Sequence, residues 1–198
     1  MLQVNTTVQT DNVTDIVTVA STTAYLLIYT GAVPANCAAA ATGTLLASLP
    51  MSNPIGTVSG AVLTMSAITA EAAAATGTAG YWRICTSSAG TTCVAQGNVY
   101  ATSTLTTSAT TASGNVLTFS ATGSIVAGQT VSGTNIPTNT YVLDVTSTTV
   151  TLNQNVTGSG VASGATITFG GDMSIPNTSI SSGTTVSVSS FTISAGGQ

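Results

Sequence analysis

Three cysteines, five acids and one arginine are the side chains of this 198-residue chain with the most capacity for chemistry. Cys37, Cys85 and Cys93 include no CxxC pair, and there is no His to complete a zinc site. Without His or Lys, the chain also lacks an imidazole base, a Cys-His pair, a Schiff-base lysine and a Ser-Lys dyad. We therefore expect no enzyme, and no catalytic, cofactor-binding or metal-ligating residues.

Two of the cysteines flank a predicted turn. Cys85 and Cys93 lie on either side of residues 87–90, where Ser, Ser, Ala and Gly follow one another. The two thiols are expected near each other on adjacent strands, which makes a disulfide geometrically feasible. The alternative is that all three cysteines stay reduced and pack as small hydrophobic side chains in a protein made in a reducing compartment.

The acids are scattered along the sequence, at Asp11, Asp15, Glu71, Asp144 and Asp172. A two-carboxylate hydrolase would also need aromatic platforms and polar partners around its cleft, and these are scarce here. Calcium would need several converging oxygens, and no DxDxDG-like loop is present. The acids are predicted to be solvated side chains and turn caps.

The single basic residue, Arg83, follows Trp82 and precedes Ile84. Strand alternation places Arg83 on the face opposite these two apolar neighbours. Two roles are open for its guanidinium. It can hydrogen-bond carbonyls or pair with an acid such as Asp172, or it can make an intersubunit contact.

Composition restricts the partners. Only 3% of the residues are charged, the net charge is -4, and roughly a third of the chain is Ser or Thr. A chain without a cluster of Lys and Arg is not expected to bind nucleic acid. Mean hydropathy is +0.48, yet Thr, Ser, Asn and Gly interrupt every long apolar stretch, so no membrane span is predicted. The first residues lack the pattern of a secretory signal, and folding in a cytoplasm is expected.

The first twenty residues are predicted to form an arm. A short helix is expected after Thr10 as its cap, preceded by an extended segment that carries Leu2, Val4 and Val8. These three apolar residues, together with Arg83, are the predicted interface residues.

Strand patterns dominate the rest of the chain. Residues 25–29 read as a strand buried on both faces, and residues 81–86 and 91–96 read as a hairpin. Residues 77–80 are predicted as a turn, residues 70–75 as a helical or loop excursion, and residues 184–193 as one final strand with a bulge. Residues 101–114 lack an apolar period and are predicted as a linker or arm between two β blocks.

Several stretches resemble a family of small tailed-bacteriophage virion proteins. They are residues 27–31, 34–37, 77–84, 171–174, 177–180 and 191–193. In addition, the middle of the chain resembles Thr/Gly-rich β modules inserted in many phage structural proteins, through residues 128–131 and 133–137. The resemblance supplies no catalytic residue.

Patterns and resemblance together predict an all-β protein. The expected parts are an amino-terminal arm (1–20), a jelly-roll-like base β-sandwich (21–104 plus 170–198) and an inserted β module (105–169). The resemblance implies a capsid decoration or cement protein that bridges major capsid subunits on the virion surface, as a homotrimer assembled in the host cytoplasm. A tail or fibre component that contacts the host surface is the alternative, and a carbohydrate-active enzyme is a third class.

Overall fold

The chain folds mostly into β-strands. We describe it from a computed structural model, over residues 5–20, 22–171, 173–175, 177–188 and 190–194. The first hundred residues contain α1 Thr6–Ala20, β1 Tyr25–Thr30, β2 Leu45–Pro50, β3 Gly56–Ser59, β4 Val62–Met65, β5 Glu71–Ala72, β6 Gly77–Cys85 and β7 Cys93–Asn98. The middle contains β8 Ser103–Thr106, β9 Val116–Thr118, β10 Thr130–Ser132, β11 Val142–Val145, β12 Thr149–Leu152 and β13 Thr166–Gly170. The end contains β14 Met173–Ser174, β15 Ser179–Ile180, β16 Thr185–Val186 and β17 Ser190–Ser194. The predicted all-β class is confirmed.

The chain divides into two compact units. Residues 1–100 and 172–198 form one unit, here called the base unit, and residues 101–171 form the other, here called the module. The predicted limits of the insertion, 105 and 169, fall inside β8 and β13. Residues 101–114 are not a linker, because β8 pairs with β13 and Thr111 bridges to Val161. Thr is β-branched and suits a strand even without an apolar period.

The larger sheet of the base unit has the order β15-β6-β1-β2, with β7 paired to β6. Its strands are antiparallel. Leu26 and Ile28 of β1 face one apolar cluster, whereas Leu27 and Tyr29 face another. The prediction of a strand buried on both faces is therefore confirmed, and so is the predicted hairpin of β6 and β7.

A second sheet of the base unit has the order β14-β17-β4-β3, and β16 pairs with β5. Side chains of both sheets share one apolar cluster, in which the rings of Trp82 and Phe191 meet edge to face at 4.7 Å between centroids. The prediction of one strand over residues 184–193 is wrong, because β16 and β17 pair in different sheets. Ser189, at the predicted bulge, lies outside the described residues.

The helix α1 starts earlier than predicted. Its cap is Asn5, whose Oδ1 accepts a hydrogen bond from the Val8 amide at 3.0 Å, so Val8 is helical rather than extended. Val13 and Ala20 are buried in the core of the base unit. This face follows the i, i+7 spacing of an amphipathic helix. The described part of the predicted arm, from Thr6 to Ala20, is therefore packed on the base unit.

Two local predictions for the base unit are wrong. Residues 77–80 continue strand β6 instead of turning, because glycine there permits a close backbone approach. A Cβ on Gly80 would lie 2.0 Å from the carbonyl oxygen of Gly31. The predicted excursion around Glu71 contains the short strand β5, which pairs with β16.

The module contains two three-stranded sheets, with the orders β10-β13-β8 and β11-β12-β9. Bridges join their outer strands on both sides, from Thr107 to Phe119 and from Thr130 to Tyr141. The pairings thus close into a ring of six strands around one apolar cluster, which contains Leu117, Phe119, Ile125, Val131, Val142, Val150, Leu152, Val156, Val161, Ile167 and Phe169. Closure leaves few unpaired strand edges in this unit.

Candidate functional site

Arg83 is held in the centre of the larger base sheet. On β6 it lies opposite Leu27 of β1 and Gln96 of β7. As alternation predicts, its side chain leaves the sheet on the face opposite Trp82 and Ile84. Although it is the one basic side chain of the chain, Arg83 is only 1% exposed.

The guanidinium of Arg83 binds backbone carbonyls of its own chain. Its Nη2 donates to the carbonyl oxygens of Ala39 at 2.8 Å, Cys37 at 3.1 Å and Asn36 at 3.4 Å. The predicted carbonyl-binding role is confirmed. The alternative of an intersubunit contact is wrong for this side chain, because its burial leaves no exposed surface for a neighbour. Asp172, the acid suggested as its partner, lies outside the described residues.

Gln96 extends this arrangement. Arg83 Nε donates to Gln96 Oε1 at 3.1 Å, and Gln96 Nε2 donates to the Pro34 carbonyl oxygen at 2.6 Å. Arg83 and Gln96, which are paired across β6 and β7, therefore bind four carbonyl oxygens of one loop, within residues 34–39. Sequence reasoning missed Gln96, because the predicted hairpin, with its turn at residues 87–90, places Val94 opposite Arg83, whereas the observed register places Gln96 there.

The loop of residues 31–44, here called the covering loop, lies over the outer face of the larger sheet. The amide of Thr42 donates to the Tyr81 hydroxyl at 2.8 Å, and that hydroxyl donates to the Thr42 carbonyl oxygen. Tyr81 in turn stacks on Tyr29, with centroids 5.0 Å apart and ring planes within 9°. The covering loop therefore buries a small apolar cluster, which contains Leu27, Tyr29, Tyr81 and Cys85.

Three thiols meet beside Arg83. Cys85 is buried, whereas Cys37 and Cys93 are partly exposed. Cys93 lies directly opposite Cys85 across β6 and β7, Cys37 lies near enough to affect the Cys93 pKa, and the Cys93 thiol donates to the Ala95 carbonyl oxygen at 3.4 Å. The predicted proximity of Cys85 and Cys93 is thus present, and the structure adds Cys37 to the pair.

The contacts among the thiols shift their proton affinities. The hydrogen bond from Cys93, with help from the Arg83 charge, lowers the pKa of Cys85 against the opposing effect of burial. The same hydrogen bond raises the pKa of Cys93. Burial, followed by a hydrogen bond to Cys93, raises the pKa of Cys37 to about 12. Cys85 is therefore the thiol of the three that most readily becomes a thiolate.

The acids do not gather. Asp11, Asp15, Glu71 and Asp144 are all exposed and belong to separate elements or turns of helix, while Asp172 lies outside the described residues. Among the residues that the structure describes, no group of three or more His, Cys, Asp or Glu side chains is arranged to hold a metal ion. These acids therefore supply isolated negative charges on the surface.

A polar cavity of about 290 Å³ lies in the base unit beside β15 and β16. Its walls carry hydroxyl, amide and apolar groups without a charged side chain, from Ile175, Asn177, Ser179, Ile180, Ser181, Thr184, Thr185, Val186 and Ser187. It approaches the lower end of the volumes of small-molecule sites. Nothing in its lining selects a particular ligand.

The predicted interface residues end up in different environments. Leu2 and Val4 lie outside the described residues, and Arg83 is buried. Val8 lies on α1 with 43% of its surface exposed, and Val19 of the same helix is 54% exposed. Within the described ranges, no helix has the length and apolar character needed to cross a membrane.

The surface of the whole protein lacks basic side chains. Arg83 is the single Lys or Arg, there is no His, and Arg83 is buried. Large apolar residues are exposed on the module as well, at Val116, Val126 and Leu143. Comparisons with models of known protein families, with curated proteins and with solved structures found no match.

Proposed function

We propose that this chain is a virion structural protein that decorates a phage capsid and cements it by bridging major capsid subunits. The observation that carries the proposal is the surface without basic side chains, which is rich in hydroxyl groups and small apolar side chains. Soluble monomers usually carry a mixed charged coat that discourages self-association. A protein that stays bound to a capsid does not need a charged surface to prevent self-association.

Such a surface makes contacts of a particular kind. Without exposed Lys or Arg it cannot offer the cationic half of a salt bridge, so it must bind through hydrogen bonds and apolar contacts. Each contact is individually modest, yet many copies on one particle act together through high effective concentration. A capsid lattice offers that multivalency.

The finer architecture belongs to the same proposal. The two base sheets share one apolar cluster, which supports a jelly-roll-like β-sandwich as the part that sits on the shell. The module of residues 101–171 is a separate compact unit with its own core, which suits a projecting domain. The homotrimer and the major capsid protein as partner are carried over from the resemblance in sequence.

Immunogold electron microscopy of purified virus particles, using antibodies raised against this chain, tests the proposal. We expect gold over the head surface, in many copies per particle, and we expect sedimentation equilibrium of the purified protein to give a trimer. Gold confined to the tail would overturn the decoration role in favour of a tail or fibre component. Particles without any label would overturn both.

A further inference from the structure

The cross-strand position of Cys85 and Cys93 comes from a β-bulge. Ile84 pairs with Ala95 but Cys85 pairs with Cys93, so Val94 is the extra residue on β7. Without the bulge, Val94 would lie opposite Cys85. The bulge therefore brings two cysteines to directly opposed positions on neighbouring strands.

The type of this pair favours a covalent bond. The next pair along the hairpin is hydrogen-bonded, because the Thr86 amide donates to the Thr92 carbonyl oxygen at 3.1 Å. Cys85 and Cys93 consequently form a pair of the non-hydrogen-bonded kind, whose Cα atoms lie about 4.5 Å apart in antiparallel sheets. Disulfides use Cα separations from about 4.4 to 6.8 Å. Their side chains lie near enough for each thiol to shift the pKa of the other.

One of the two sulfurs is accessible to solvent, and the other forms a thiolate more readily. Cys93 is partly exposed and can meet a reagent from solution, whereas Cys85 is buried. The nearby guanidinium of Arg83 and the hydrogen bond from Cys93 both favour a thiolate at Cys85. Cys37 also lies near Cys93, but its pKa of about 12 keeps it a thiol at neutral pH.

We propose that Cys85 and Cys93 form a thiol–disulfide exchange site that is oxidised to an intramolecular disulfide by a low-molecular-weight disulfide. The site is independent of the proposed capsid role, since it rests on the geometry of the β6–β7 hairpin alone. Its product would tie β6 to β7 two residues beyond Arg83. Oxidation thus adds a covalent link beneath the covering loop.

The exchange proceeds in two balanced steps. In the first, Cys93 releases its proton to water, its thiolate attacks oxidised glutathione, whose S–S bond breaks, and one glutathione leaves as a thiolate that takes up a proton from water. In the second, Cys85 releases its proton to water, the Cys85 thiolate attacks the Cys93 sulfur of the mixed disulfide, and the second glutathione leaves as a thiolate that takes up a proton from water. Two protein thiols are oxidised to one disulfide, and one glutathione disulfide is reduced to two thiols.

The test uses the folded full-length chain, reduced and then incubated with oxidised glutathione, quenched in acid and alkylated. Intact mass and peptide mapping identify the products. We expect wild type and Cys37→Ser to lose two hydrogens and give a Cys85–Cys93 peptide without retained glutathione. In Cys85→Ser, Cys93 should instead pair with Cys37, because these two thiols lie near enough to shift each other's pKa.

Cys93→Ser provides the matched control, because it removes the sulfur that lies near both others. We expect no intramolecular disulfide in this variant, while its circular dichroism spectrum stays that of the wild type. The proposal is overturned if wild type retains glutathione on Cys93, if a Cys37–Cys85 disulfide dominates, or if pairing occurs only in denaturing urea. Equal oxidation of Cys93→Ser and wild type would also overturn it.

Discussion

The base unit and the module cover their sheets in different ways. In the base unit, long side chains reach across to a loop. Arg83 and Gln96 bind carbonyls of residues 34–39, and Tyr81 binds Thr42. In the module, the strands close on themselves.

Short side chains finish the closure of the module. The hydroxyl of Thr107 donates to the Ala162 carbonyl oxygen at 2.7 Å, and that of Thr122 donates to Thr146 at 2.6 Å. The amide of Asn135 donates to the Gly160 carbonyl oxygen at 2.6 Å. The base unit therefore depends on the single arginine of the chain to bind backbone carbonyls. The module binds its carbonyls through several Thr and Asn side chains, and Thr is abundant in this chain.

Removing the module tests whether the two regions are separate at all. Deletion of residues 101–171, with a short Gly/Ser linker in their place, should leave one cooperative unfolding transition of the base unit. Trp82, the only tryptophan of the chain, lies in the base core and reports that transition by fluorescence. Loss of cooperative unfolding in this variant would show that the two units share one core.

Replacing Arg83 should have the largest effect of any single substitution on the base unit. Arg83→Met leaves the carbonyls of the covering loop and Gln96 without their donor, at a cost of about 4 kcal/mol in the free energy of unfolding. Urea unfolding followed by Trp82 fluorescence measures it.

Two features sharpen that experiment. Arg83→Lys keeps the charge but not the planar fork of donors, so it should recover only part of the loss. Module unfolding, seen as the circular dichroism change that Trp82 fluorescence does not follow, should stay at the wild-type urea midpoint. A shift of both transitions would contradict the view that the contacts of Arg83 with the covering loop stabilise the base unit alone.

Two glycines in similar environments allow a comparison of how well the base unit and the module accept an added Cβ. Gly43 in the base unit and Gly160 in the module have φ of +72° and +77°. At each, an added Cβ would lie 2.2 Å from a backbone carbonyl oxygen, of Thr30 and Thr111 respectively. Gly43→Ala and Gly160→Ala should each cost about 3 kcal/mol, from backbone strain and overpacking together, in the transition of their own unit.

Two open glycines serve as the controls. Gly31 and Gly164 have φ of +84° and +85°, with no atom within 4 Å of an added Cβ. Their Ala variants should cost only the backbone strain, about 1 kcal/mol, in urea unfolding. If Gly160→Ala costs no more free energy of unfolding than Gly164→Ala, while Gly43→Ala costs about 3 kcal/mol, the backbone of the module shifts to accept the added Cβ and that of the base unit does not.

A smaller loss is expected from a single hydroxyl of the module. Thr107→Val keeps the β-branched shape but removes a buried donor, which should cost about 1 kcal/mol in the module transition. Thr106, the exposed last residue of β8 and the neighbour of Thr107, supplies the control, because Thr106→Val should change the free energy of unfolding by less than about 0.5 kcal/mol. A loss of several kcal/mol for Thr107→Val would mean that closure is not distributed.

The smallest change in stability is expected at the exposed apolar residues. Val8→Thr and Leu143→Thr should each leave the free energy of unfolding within about 0.5 kcal/mol of wild type. If α1 is the assembly surface, Val8→Thr alone should weaken self-association, by about tenfold for a loss near 1.4 kcal/mol. Sedimentation equilibrium measures this, and an equal effect of Leu143→Thr would move the contact to the module.

Local patterns carried most of the correct predictions. Alternation is a property of consecutive residues, so it predicted the two buried faces of β1 and the side of the sheet from which Arg83 emerges. The predicted helix start after Thr10 is wrong, because Asn5, another residue type that caps helices, begins α1 five residues earlier. The partners of Arg83 could not be predicted, because the covering loop has no regular pattern and reaches the arginine through the tertiary fold.

Bulges and long-range closure account for much of the rest. In β11, an irregular register turns Val142 inward and leaves Leu143 half exposed, which alternation alone assigns the other way. The ring of the module depends on bridges such as Thr107 to Phe119. A run of Thr and Ser has no apolar periodicity, so neither the strand β8 nor the buried hydroxyl of Thr107 could be predicted from it.

The strand pairing of the module also fixes where its two ends lie. Ser103 of β8 is directly opposite Phe169 of β13, so the chain arrives and departs on neighbouring strands, about 4.8 Å apart. The two ends of the module are thus as close together as the two strands that a tight hairpin turn connects. The spacing of its ends therefore matches the spacing at which an exposed hairpin of another protein would have to receive it.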